Sequence, residues 1–434
     1  MRVLTRRQLA PLGLPGFRYL LYATLGSSLG TLIAGIALAI DIKDRTNSGP
    51  WVAAVLVVEF LPTVIVGLLL GPLLDRLDRR SLMIGADLVR VAVFAALPFA
   101  GSPGGIVALA LVAGLATGFF RPAVFAGVPN LVPEEQLPQA NALLQTVENA
   151  SWAVGPLLGG LLTAAAGPSA AYWINSASFL VSALLVRRIP SRKLQSERAL
   201  TRGHWRDLGE GFVAVLRSKP LLTVLLAWGL AEIAIGAVNV TEIFIAKNTF
   251  HAGDFGYGLL YSAIGAGLVI GSFASSAVLA RLGTASTYGL SLGTMAVGFV
   301  GAGMSPSIWV AAACLGLAGA GNGCAVVCNA LLVQRGVADA ARGRALTFVM
   351  SATYVLAGIG NAVAGVVIGT AGPRWVLAFA AAFTFAAAGC GYVLANRSSE
   401  PGPGPIEVRE PEPELEPAGV EGEPDWARWA NWAS

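Results

Sequence analysis

"GPLLDRLDRR", residues 71–80, carries five charged side chains among its last six residues: Asp75, Arg76, Asp78, Arg79 and Arg80. It lies between two long apolar stretches in a chain of 434 residues, of which 12% are charged and 55% hydrophobic. Soluble domains carry about 25% charged residues, so a chain this poor in charge, with a mean hydropathy of +0.68, reads as a membrane protein. A charged island between two apolar runs is then a link at a membrane surface, where side chains regain water.

A spanning helix needs roughly 20 mostly apolar residues. Working outward from the island, such runs fall at about 17–40, 51–73, 82–100, 105–126, 139–166, 170–187, 221–246, 256–280, 285–304, 307–332, 344–370 and 374–395. The expectation is an all-α membrane protein of twelve transmembrane helices. The basic start "MRVLTRRQLA" imitates a signal peptide, but the run after it is of spanning length and leads into others, so an uncleaved first helix is expected. Placing the N-terminus inside puts nineteen Lys and Arg on the inner side of the links and four (Lys43, Arg45, Lys247, Arg374) on the outer. That bias, with an even number of spans, predicts a multi-pass protein of the cell membrane with both termini cytoplasmic.

The longest internal link, 187–220, splits the chain six runs to six. A weak repeat crosses it at an offset of 203, carrying Ala142-Leu143 onto Ala345-Leu346, Gly155 onto Gly358 and Gly118 onto Gly321. The expected divisions are an N-terminal six-helix bundle over 1–186, a cytoplasmic amphipathic linker over 187–220, a C-terminal six-helix bundle over 221–396 and a tail over 397–434. In the linker, Leu208, Phe212, Val215 and Leu216 recur at helical spacing, as in a helix lying on the inner surface. The tail has nine acids between 400 and 425 and reads as disordered, its Trp426, Trp429 and Trp432 included.

The spacing of Gly71, Leu73, Asp75, Arg76, Arg79 and Arg80 resembles the G-x-L-x-D-R-x-x-R-[KR] loop of the major facilitator superfamily, between its second and third helices. "SWAVGPLLGG" (151–160) adds a second likeness: Gly155, Pro156, Gly159 and Gly160 are similar to the G-P-x-x-G-G antiporter motif of that superfamily's drug:proton exporters. The stretch 119–160 resembles its branch of macrolide and siderophore exporters, and the likeness spans about 1–396. The resemblance implies two pseudo-symmetric six-helix bundles that rock by alternating access. It also implies that Gly71, Asp75, Arg76, Arg79 and Arg80 latch the halves on the cytoplasmic side. Two departures stand out. The family usually has Gly where Asp78 stands, a change that adds a competing carboxylate, and Thr31 replaces a common acidic residue of the first helix.

Ionisable residues at membrane depth are functional candidates by default. At 1.5 Å per residue, Glu232 lies near the midplane of the seventh run, with Glu148, Glu59 and Arg121 within the fifth, second and fourth. By the resemblance, helices one, four, seven and ten line the cavity, which makes Glu232 the leading proton carrier or cation anchor. A carboxyl buried there can hold a proton near neutral pH, as a proton-coupled step requires. Glu148 and Arg121 sit at similar depth on adjacent helices and are a candidate pair. Asp87 and Arg90, at i and i+3, read as a structural pair.

No metal or cofactor is expected. The cysteines (Cys314, Cys324, Cys328, Cys390) lie in apolar runs without a CxxC pair and read as buried thiols, and both histidines lie outside the runs. An intramembrane enzyme would need a nucleophile, a His base or a metal cluster at depth. An ATP-driven pump would need a G-K-[ST] loop, and none of the four lysines follows a Gly. The expected function is a monomeric, proton-coupled efflux antiporter for a small hydrophobic or cationic molecule of the drug, macrolide or siderophore class, a drug-resistance activity. Its expected partners are substrate, protons and the bilayer, with no nucleic acid. The alternative is an importer or a lipid-handling member of the same fold.

Overall fold

The structure, a computed structural model, describes residues 8–69, 77–194, 215–216, 218–336 and 339–398. Among them there is no strand. Eleven long helices run α1 (Pro15–Thr46), α2 (Gly49–Leu69), α3 (Arg79–Ala96), α4 (Pro103–Gly127), α5 (Leu137–Ala166), α6 (Pro168–Arg187), α7 (Lys219–Thr249), α8 (Gly253–Met304), α9 (Ile308–Gly336), α10 (Asp339–Ala371) and α11 (Pro373–Ser398). Ten of them, all but α5, are long and apolar enough to cross a membrane.

Local chemistry places the ends. Proline opens α1, α4, α6 and α11, where the missing N–H has no intrahelical partner to lose. Side chains of Asp78, Ser102 and Ser218 cap α3, α4 and α7. The 52 residues of α8 would extend about 78 Å as one rod, more than twice the apolar thickness of a bilayer. Gly283, at φ 73° and ψ 174°, breaks it into two arms. An L side chain would be strained in that conformation, which is why a glycine stands between the eighth and ninth apolar runs.

α1 packs on α5 and α6, α2 on α4, and α3 on α4 and α6. Beyond residue 219, α7 packs on α10 and α11, and α8 on α9 and α11. The two sets meet along α5 with α8 and along α2 with α10. Small residues permit the closest approaches: Gly319 and Gly323 of α9 lie against the backbone of Ile264 and Leu268 in α8.

Asp87 and Arg90 form the buried pair their spacing predicts, 2.5 Å apart. Ser182 of α6 donates to Asp87 at 2.7 Å, and the guanidinium lies over the rings of Phe120 (4.4 Å) and Phe179 (4.2 Å). The charge is thereby paired and covered, and it pins α3, α4 and α6 together. Gly71, Asp75 and Arg76 of the loop motif lie outside the described residues, as do 195–214 and 217 of the linker and 399–434 of the tail.

Candidate functional site

Glu232 sits one turn beyond a π-helical turn, Val224–Trp228, in α7. Such turns insert a residue into the helix and are frequent at functional sites. The Trp228 side chain, one turn earlier, lies within reach of the Glu232 carboxylate. Tyr354 of α10 is within electrostatic reach of Glu232, and also of Arg121 on α4 and Glu148 on α5. Arg121 donates to both Glu148 oxygens, at 3.1 and 3.3 Å. Half of its side chain is exposed, against 16% for Glu148. Polar groups from α4, α5, α7 and α10 therefore gather in one region of an otherwise apolar bundle, and they carry both signs of charge. That arrangement can exchange a proton or hold an amphipathic molecule by its polar end.

Glu59 does not join this group. Its carboxylate lies against α1, where a Cβ built on Gly35 would meet it at 3.3 Å. It is instead within reach of Tyr172, Tyr257 and Tyr261. Asn239 and Asn322 share a cavity of about 30 Å³ with Ile235, Met295 and Phe299 between α7, α8 and α9, room for a water but not for a drug-sized molecule. Thr31 turns its hydroxyl back to the Ser27 carbonyl at 2.7 Å, so no charge replaces the missing acid there.

The G-P-x-x-G-G motif is a contact surface. Gly155 and Gly159 lie against Leu32 and Ile33 of α1, while Gly160 lies against Asp254 and Gly258 of α8. Pro156 has no N–H to hold the turn before it, and the Leu157 N–H donates to Ser262 of α8 at 2.8 Å. Trp152 stacks on Tyr261 of α8, with ring centroids 5.9 Å apart. Without side chains at 159 and 160, the backbones of α1, α5 and α8 come into direct contact.

Polar clasps hold the two ends of the bundle. At the end where α1 meets α2, Lys247 bonds Asp44 (2.7 Å) and Asp254 (2.6 Å), and Lys43 donates to Asn248 at 2.8 Å. Asp41 takes Arg45 (2.7 Å) and the Tyr172 hydroxyl (3.0 Å). At the opposite end, Arg79 donates to the carbonyls of Ala126 and Leu194, both at 2.9 Å, and Arg80 to that of Arg187. Asp78 accepts from the Ser81 backbone N–H (2.7 Å) and from the Ser191 hydroxyl. The Asp78 carboxylate thus caps α3 and grips the segment after α6. Burial pushes it up, but those hydrogen bonds and the Arg80 charge outweigh burial and hold it below its ordinary value of 3.8.

The α1–α2 clasp was not singled out from the sequence, because Lys43, Asp44, Lys247 and Asp254 look there like ordinary link charges. Glu242 was missed as well. It is 2% exposed on α7, and neither carboxylate oxygen has a hydrogen-bond partner among the described residues. Near the end of the 221–246 run it carries no motif, although the apolar Val240, Ile243, Phe244 and Ile245 around it signal burial.

Solved structures with this fold include the nucleoside transporter NupG, at a TM-score of 0.68 and 13% identity over 87% of this chain and 99% of that one. A bacterial homologue of the iron transporter ferroportin, in an inward-facing state, superposes with a TM-score of 0.67 at 18% identity over 89% and 98%. Likeness at such identities is one of fold, and the fold is that of major facilitator transporters. Within that class the chain belongs to the transmembrane secretion effector family, whose sequence model matches residues 6–416. Similar relatives are the MFS-type transporter YkuC of Bacillus subtilis, 28% identical over 60% of this chain and 65% of that protein, and macrolide efflux protein A of Streptococcus pyogenes, 26% identical over 58% and 64%. This chain thus spans slightly under two thirds of either relative. The multidrug efflux pump Tap of Mycobacterium tuberculosis is 25% identical over 81% of this chain and 87% of that protein.

Proposed function

We propose that this transporter exports hydrophobic or cationic small molecules from the cytoplasm in exchange for protons, by alternating access of two six-helix halves in the cell membrane. The observation that carries the reading is the convergence of Glu232, Tyr354 and the Arg121–Glu148 pair from four helices. The efflux relatives favour the outward direction. α5 and the two arms of α8, added to the nine other helices, supply twelve crossings with cytoplasmic termini. The Lys247 clasp then closes the outer end, and the 71–80 loop lies at the cytoplasmic face. The halves meet along α5 with α8 and α2 with α10, and the chain works as a monomer.

Glu232 carries the proton and Arg121–Glu148 gates access to it. The test is accumulation of ethidium and of erythromycin in proteoliposomes under an imposed pH gradient. Wild-type protein should drive uphill accumulation that an uncoupler abolishes. Glu232→Gln, folded as judged by its melting curve, should fall to the protein-free background, with Glu59→Gln and Glu148→Gln retaining more activity. Uphill accumulation by Glu232→Gln would eliminate Glu232 as carrier and move the role to Glu148.

A further inference from the structure

Glu242 presents a carboxyl group sealed in the outer part of the bundle with no donor for either oxygen among the described residues. An ionised carboxylate moved into an apolar interior without partners is unfavourable by many kcal/mol, and such a group takes up a proton instead. The nearby cations are engaged elsewhere. Lys247 is bound by Asp44 and Asp254, Lys43 lies over the Phe244 ring and bonds Asn248, Arg45 is paired with Asp41, and Arg374 donates to the Ser305 carbonyl. The titratable groups within reach of Glu242 are the phenols of Tyr257 and Tyr261 on α8. Glu59 of α2 is within reach of the same two phenols. Neither phenol donates a hydrogen bond to Glu242, and a second carboxyl does not hold a carboxylate ionised.

The position gives this burial a consequence. α7 joins the outer clasp at Lys247, five residues beyond Glu242, through a second π-helical turn at Ile245–Thr249. Tyr261 also stacks on Trp152 of α5, across the contact of α5 with α8. Any opening of the outer end must separate α7 and α8 from α1 and α5, and that admits water to Glu242.

We propose that Glu242 is a proton-binding site coupled to the outer gate: closure seats its carboxyl as the neutral acid, and opening exposes it to outside water, where it releases the proton as hydronium. In its meaning for transport the proposal rests on the proton-coupled reading above, but its test does not require transport. One proton taken up on closing makes the closed-to-open ratio fall tenfold per unit of rising pH wherever the open form is ionised.

The ratio is read from the distance distribution between spin labels on non-canonical residues at Gly101 and Pro306, exposed links of the two sets of helices, in nanodiscs between pH 5.5 and 8.5. Wild-type protein should show a slope approaching tenfold per unit. Glu242→Gln, a neutral mimic of the acid, should stay closed across the range with the slope lost, while Glu242→Asp and Glu134→Gln, the latter at an exposed carboxyl outside the proposed machinery, keep it. A wild-type ratio independent of pH, or an unchanged slope in Glu242→Gln, would overturn the proposal. Should Glu242→Gln fail to fold, the wild-type slope and the Glu242→Asp variant decide. Failure of gradient-driven export with the Glu242 slope intact would sink the exporter reading and leave the proton site standing.

Discussion

At the scale of single residues, Asp78 is a brace as well as an added carboxylate on which the Arg80 charge acts. It caps α3 through the Ser81 N–H and binds the Ser191 hydroxyl, so it braces the segment in which Arg79 and Arg80 act. Loss of an acidic N-cap is worth about 0.5–2 kcal/mol, and Asp78→Ala should lower the melting temperature in detergent at pH 7. The sign of the pH dependence follows from the depressed carboxyl. Its contribution is complete above the ordinary value of 3.8 and disappears as the pH falls through the still lower value in the folded protein. The gap between wild type and variant should therefore hold from pH 7 to 5 and shrink only in strong acid. A gap already closed at pH 5 would show that the carboxylate is not its source.

At the scale of elements, α5 shows why a glycine motif and a charge motif convey different kinds of information. Gly155, Pro156, Gly159 and Gly160 announce a close helix contact in the sequence, yet which helix they touch depends on the packing. A Cβ on Gly160 would stand 2.7 Å from the Asp254 carbonyl and 3.0 Å from the Gly258 Cα, both backbone atoms that cannot turn aside. Overpacking of this kind costs about 1–3 kcal/mol. Gly160→Ala should thus weaken the closed α5–α8 contact and lower the closed-to-open ratio read by the spin labels by roughly tenfold for each 1.4 kcal/mol. Gly104→Ala, where a Cβ meets nothing within 4 Å, should leave them unchanged. Equal behaviour of the two variants would remove the motif from the gate.

At the scale of the whole molecule, the two sets of helices are joined at the α1–α2 end by the Lys247–Asp44 ion pair and the Lys43–Asn248 hydrogen bond, while Asp254 holds Lys247 within its own set. Lys247 is 14% exposed, Asp44 48% and Asp254 20%, so Asp44 contributes as a screened surface partner, worth about 0–1 kcal/mol. Asp254, the more enclosed partner, lies on α8 beside α7 and orients the ammonium without crossing between the sets. Lys247→Gln should lower the closed-to-open ratio by up to about fivefold at neutral pH, read by the same label pair, while leaving the helix content unaltered. A ratio unchanged within error would assign closure to the glycine contacts alone. Glu242→Gln and Lys247→Gln push the gate in opposite directions, and their combination measures whether the proton site and the ion pair act independently.

The apolar runs, their breaks at Pro and Gly, the charged links and the two motifs determined the membrane class, the helix positions and the family, because each depends on a local property that the bilayer or the backbone enforces residue by residue. The i, i+3 pair Asp87–Arg90 was equally legible, and the depth of Glu148 and Arg121 sufficed to suggest their pairing. Partnership across the chain was not. That Glu59 faces α1 and not Glu232, that Leu157 donates to Ser262, and that Lys247 bridges Asp44 and Asp254 are consequences of which helices lie side by side. Glu242 makes the difference plain. In sequence it is one more acid near the end of an apolar run. Only the packing of α7 against its neighbours takes its carboxyl out of water and leaves it without a hydrogen-bond partner among the described residues, because burial and partnership are properties of the surroundings.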